Sequence, residues 1–140
     1  MKSDIELYVS EEDLIGNIQK DFSFYYPYLR LQFFKNPHGE KEASLKKELL
    51  PAYLPVSEIA LFHKAGRINI SPYRKATEME NDFYFKLGLN VQVFRKANNI
   101  WLETTKTDDL TLKAQNEIGK ISCQTVPAEA AMEFDLQDVE

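Results

Sequence analysis

Apolar and polar residues alternate at the start of the chain, where Ile5, Leu7 and Val9 take every second place, the period of a half-buried strand. Ser10 follows, and Asp13 three positions on is a shorter form of the capping-box glutamate, so a helix start is predicted there. Leu14, Ile15, Ile18, Phe22 and Tyr25 then fall on one helical face. Gly16 weakens that helix by roughly 1 kcal/mol relative to alanine, and Pro27 stops it. Leu29, Leu31 and Phe33 alternate with Arg30, Gln32 and Phe34 as a second strand.

The second half repeats this order. Arg67 to Ser71 alternates with Ile68 and Ile70 on one side, and Pro72 ends the strand. Met79, Phe83 and Leu87 mark a helix over about Ala76–Leu87, with Glu78 and Glu80 early, where the helix dipole favours anions, and Gly88 placed as its left-handed cap. The strand Asn90–Phe94 follows, and Asn98-Asn99 forms a two-residue turn into a hairpin strand beginning IWLETT. Beyond it, TTKTDD offers helix caps, and Leu110, Ala114 and Ile118 form a narrow stripe on a last helix ending near Gly119. Between the halves, residues 36–66 read as a loop-rich connection with a short helix near Val56–Phe62.

The halves also share wording. DFSFYYPYLRLQFFK, from Asp21, returns sixty-one positions later as DFYFKLGLNVQVFRK, from Asp82. Phe22 and Phe83 take equivalent helical places, as aromatics that anchor a helix on a sheet do, and Asp21 and Asp82 read as solvated helix residues. The expected fold is therefore α+β: two tandem β-α-β units in a ferredoxin-like sandwich, extended by a hairpin strand and a third helix, with strand order left open. Residues 1–123 form one domain, and 124–140 form an acidic tail without strong periodicity, expected to be flexible.

Charge sharpens this division. The net charge is −5, but the tail holds five acidic residues and no Lys or Arg, leaving 17 acidic and 17 basic residues in positions 1–123. A neutral body lacks the basic footprint of a nucleic-acid binder. The single cysteine, Cys123, forms no intramolecular bridge, and MKSDIELYV has no apolar export region, so a cytoplasmic protein is expected. No apolar run approaches the ~18 residues of a membrane span.

Two groups of residues are candidates for function. With Val91 and Val93 turned to the helices, Phe34, Gln92, Phe94, Trp101 and Glu103 share the opposite sheet face with Gln32 and Thr105, an aromatic surface that is either covered by the third helix or the tail or used for contact. The polar run TTKTDDLTLKAQN gathers Thr105, Thr107, Asp108, Asp109 and Gln115 where a strand meets a helix N-terminus. Such a place holds an anion, or a divalent cation through Asp108 and Asp109, and plain capping accounts for the same residues. His38, His63 and Cys123 have no metal-ligand or nucleophile spacing.

The hairpin and polar run, VQVFRKANNIWLETTKTDDLTLKAQN, and less strongly the stretch ending LRLQFFKNPHG, resemble an uncharacterised family of small cytoplasmic bacterial proteins found mostly in Bacteroidetes. The resemblance covers most of the body and stops before the tail. It implies no established activity, so it supplies no catalytic residue and no cofactor. The leading expectation is a non-enzymatic interaction module or homodimer using the aromatic face. The alternative is a small-molecule or metal-dependent enzyme at Thr105–Gln115.

Overall fold

The computed structural model describes residues 4–35 and 48–124. It is mixed α+β, as expected, with two β-α-β units followed by a hairpin and a third helix. The strands are β1 (Glu6–Val9), β2 (Leu29–Phe34), β3 (Gly66–Asn69), β4 (Asn90–Ala97) and β5 (Ile100–Glu103), and the helices are α1 (Ile15–Tyr25), α2 (Ala76–Leu87) and α3 (Leu112–Gln124). Single 3₁₀ turns occupy Val56–Glu58 and Thr105–Thr107. The short helix expected over Val56–Phe62 is thus only that first turn.

The predicted repeat is physical. Ile15, Ile18 and Phe22 are buried on α1, and Ala76, Met79 and Phe83, each sixty-one positions later, are buried on α2. The expected α1 face is narrower than the spacing implied, since Leu14 and Tyr25 are exposed. Strand pairing supplies what the sequence left open: β1 pairs antiparallel with β3, while β2 and β4 pair antiparallel in a second sheet of order β2-β4-β5. Leu7 sits opposite Ile68, and Gln32 opposite Gln92, so each strand lies against its own counterpart in the other unit.

The two units also start their helices in the same way. Ile15 and Gly16 donate their N–H groups to the carbonyls of Leu54 and Ala52, while Val56 and Ser57 donate back to Asp13 and Glu11, at 2.8–3.0 Å. In the second unit Ala76 and Thr77 donate to Leu110 and Asp108, and Leu112 and Lys113 donate back to Arg74 and Pro72, at 2.8–3.1 Å. These crosslinks satisfy helix N-terminal donors that a side chain otherwise caps. They correct the expected cap: Asp13 Oδ2 accepts from Ser10 N–H at 2.9 Å in the preceding turn, and α1 begins only at Ile15.

Between the sheets and helices lies one core, in which Phe33 meets Phe83 edge-on at 6.1 Å and Phe22 packs on Tyr26. Burying each such aromatic contributes roughly 1.5–3 kcal/mol. The Tyr26 hydroxyl donates to the Ile70 carbonyl at the end of the first sheet, and burial pushes that phenol up to about 12.

α3 differs from expectation in two ways. It runs through Gly119 to Gln124, and its buried face is Leu112, Gln115 and Gly119, not Leu110, Ala114 and Ile118. A Cβ on Gly119 would stand 2.9 Å from Tyr28 Cβ and 3.2 Å from Arg95 Cγ, so this glycine marks close approach of helix to sheet. Thr111 starts the helix, its Oγ1 accepting from Ala114 N–H at 3.1 Å. The expected flexible tail beyond Gln124, His38 and residues 36–47 of the connection lie outside the described residues. Among the described residues no helix is long and apolar enough to cross a membrane.

Candidate functional site

Strand alternation gives the β2-β4-β5 sheet two unlike faces. Leu29, Leu31 and Phe33 lie opposite Arg95, Val93 and Val91 and face the helices. Arg95 Nη1 donates to Gln115 Oε1 at 2.6 Å, so α3 packs on this same face as α1 and α2. The opposite face carries Arg30, Gln32 and Phe34 from β2, Gln92, Phe94 and Lys96 from β4, and Trp101 and Glu103 from β5.

On that outward face Phe34 and Phe94 stack with centroids 6.3 Å apart and planes 15° from parallel. The Arg30 guanidinium lies 4.4 Å above the Trp101 ring, and Lys96 Nζ lies 5.8 Å from it. Each such contact contributes about 0.5–1 kcal/mol at an exposed position. Five residues were predicted for this surface, and their exposure divides them. Phe94 and Trp101 are half-buried and Glu103 is exposed, whereas Phe34 is 3% exposed and Gln92 fully buried, so those two lie beneath the surface. Thr105 leaves the face altogether, because β5 ends at Glu103 and the chain turns inward. Beside Phe34, Leu50 N–H donates to the Phe33 carbonyl and Lys35 N–H to the Glu48 carbonyl, which covers part of the β2 edge.

The polar run forms a buried cluster. Gln115 is fully buried and donates through Nε2 to the Thr107 carbonyl at 2.6 Å and to Thr107 Oγ1 at 3.2 Å, tying the 3₁₀ turn to Arg95 of β4. Asp108 is buried, with its carbonyl holding Thr77 N–H, while Asp109 is exposed. Thr111, rather than Thr107 or Asp108, caps α3. Thr105 and Asp108 were expected near a surface and are instead interior.

Sequence reasoning missed two members of this cluster. Val93 lies on β4 before its pairing with β5 begins, so its outer backbone groups need other partners. Glu80 Oε2 accepts from Val93 N–H at 2.9 Å, and Thr104 Oγ1 donates to the Val93 carbonyl at 2.7 Å. Burial pushes the Glu80 carboxyl up to about 8; the Val93 N–H lowers it, and the negative charge of Asp108 raises it further. Raised to about 8, the Glu80 carboxyl holds its proton near neutral pH and is not the dipole-favoured anion its place in the first turns implied. Its signal was positional: it stands three and seven residues before Phe83 and Leu87, on the buried face. Its counterpart in the first unit is Gln19, whose amide donates to the Leu31 carbonyl at 2.8 Å.

The remaining candidates lie apart. His63 is exposed, with Nδ1 3.1 Å from Glu11 Oε1. Cys123 is half-buried near the Asn98 carbonyl. Asp82, read as solvated, accepts instead from Arg74 Nη1 at 2.6 Å. Among the described residues no three His, Cys, Asp or Glu converge as a metal-holding group. No family model matches the chain, and neither the comparison with curated proteins nor that with solved structures finds a match.

Proposed function

We propose that this chain is a non-enzymatic protein-contact module that pairs with a second copy of itself through the outward face of the β2-β4-β5 sheet. The observation that carries this reading is that α1, α2 and α3 share one face of the sheet, while on the other, beside the buried Phe34 and Gln92, Phe94 and Trp101 reach solvent. That surface also carries Arg30 and Lys96 beside Glu103. A two-fold interface is self-complementary by construction, and cations and an acid on one patch can meet their opposites across the axis.

Light scattering over a concentration series tests the reading. The wild type is expected at dimer mass, and Trp101→Glu at monomer mass with an unchanged circular dichroism spectrum. Monomers in both, equally folded, would end the self-association reading. The alternative, a ligand or metal-dependent enzyme at Thr105, Thr107, Asp108, Asp109 and Gln115, has less support. Three of those five residues are buried, and Gln115 is spent on holding Thr107 and Arg95.

A further inference from the structure

β5 ends the sheet, and among the described residues no strand pairs with its outer side. Lys96 donates its N–H to Tyr28 on the β2 side, so Arg95 and Ala97 face β5. Their partners Leu102 and Ile100 therefore turn their backbone groups inward, and Trp101 and Glu103 present theirs at the open edge. An open edge of this kind is a template for an added strand.

The two faces beside this edge differ in chemistry. On the helix side, Ile100 and Leu102 are 58% and 39% exposed. Asn116, on one flank of α3, accepts from Tyr28 N–H at the β2 side, which turns the opposite flank, bearing Ile118 and Ile121, toward the β5 side of the sheet. Ile118 and Ile121 are 36% and 55% exposed, so four exposed aliphatic side chains lie on the α3 side of the sheet. On the other side the Trp101 ring holds Arg30 and Lys96 close to it. A strand that fits must alternate apolar residues, for the α3 side, with acidic residues, for the cationic side.

The sequence after α3 has this alternation: Met132, Phe134 and Leu136 are separated by Glu133 and Asp135. It also starts in the right place, because Cys123 Sγ lies 3.9 Å from the Asn98 carbonyl in the turn that leads into β5. Seven residues, 125–131, intervene and can span up to about 24 Å, against about 14 Å for the four residues of β5. We propose that the open side of β5 is the docking site for residues 132–136 of the same chain, with Met132, Phe134 and Leu136 toward Ile100, Leu102, Ile118 and Ile121, and the two acids toward Arg30 and Lys96. This inference does not rest on the dimer reading.

Residue-resolved amide exchange on the full chain tests it, comparing wild type with the double variant Phe134→Glu, Leu136→Glu. Wild-type Trp101 and Glu103 amides are expected to exchange at least about tenfold more slowly than in the variant, while Leu102, bonded inward, is unchanged. Protection must also survive tenfold dilution of the protein, since the occupant belongs to the same molecule. Equal exchange of Trp101 and Glu103 in both proteins would overturn the proposal. So would protection that fades on dilution, which would assign the edge to a second copy.

Discussion

Replacing Glu80 by glutamine should change how stability depends on pH more than it changes the fold. Glu80 is buried against Val93 N–H, and its carboxyl is raised from 4.5 to about 8, first by burial and then by Asp108. The unfolded chain releases this proton near pH 4.5, while the folded chain keeps it until about pH 8. Between those limits the folded state binds more protons, so stability falls as pH rises. The contribution is complete below the unfolded value and is lost as pH climbs through the folded one, at up to ~1.4 kcal/mol per pH unit. Across the whole window the ceiling is on the order of 5 kcal/mol. Glutamine retains an oxygen for Val93 N–H and has no proton to lose, the arrangement Gln19 already provides in the first unit. Urea unfolding of both proteins at pH 5, 6, 7 and 8 reads the difference directly. Glu80→Gln is expected to gain on the wild type with each step, by about 3–4 kcal/mol in total. Stability curves that run parallel from pH 5 to 8 would refute a buried, proton-holding Glu80.

Three further substitutions probe the frame, one of them a control. Gly88→Ala forces a side chain into φ 69° and brings its Cβ within 2.9 Å of the Leu61 nitrogen, so denaturant titration should show a loss above the ~1–2 kcal/mol of left-handed backbone alone. Gly66→Ala, whose Cβ would meet only the flexible tip of Leu87 at 3.3 Å, is the near-neutral control. Gln115→Ala removes the acceptor of Arg95 and the donor to Thr107 within the fold, which should cost about 1–3 kcal/mol. Hydrogen exchange should then show α3 opening before α2, and a change smaller than about 0.5 kcal/mol would contradict its tying role.

The parts of this fold legible in the sequence are those set by local period. Ala76–Leu87 and the Asn98-Asn99 turn were readable because helical spacing, a left-handed glycine and an asparagine turn act over a few residues; Asn98 does adopt φ 55°. Pairing was not readable, because β1 finds β3 and β2 finds β4 across about sixty residues, and alternation fixes a face without naming a neighbour. Gly119 misled because the same residue type ends helices and permits close packing within them. Glu80 misled because an acid in the first turns of a helix fits the dipole, while the strand edge beside it decides its state. The outward face was read with Thr105 wrongly included and with Arg30 and Lys96 left out, and Phe34 and Gln92 show that facing away from the helices is not the same as being exposed.

The crossed pairing of the two units has a consequence for what half of this chain can be. In neither unit do the two strands pair with each other; each pairs with the corresponding strand of the other half, and each helix packs into the core shared by both. A single half therefore has no closed set of backbone hydrogen bonds and no core of its own. The smallest self-sufficient body made from one half is two of them, related by rotation. The described residues thus have the internal geometry of a two-fold dimer whose partners have been joined end to end, with α3 present on one partner only.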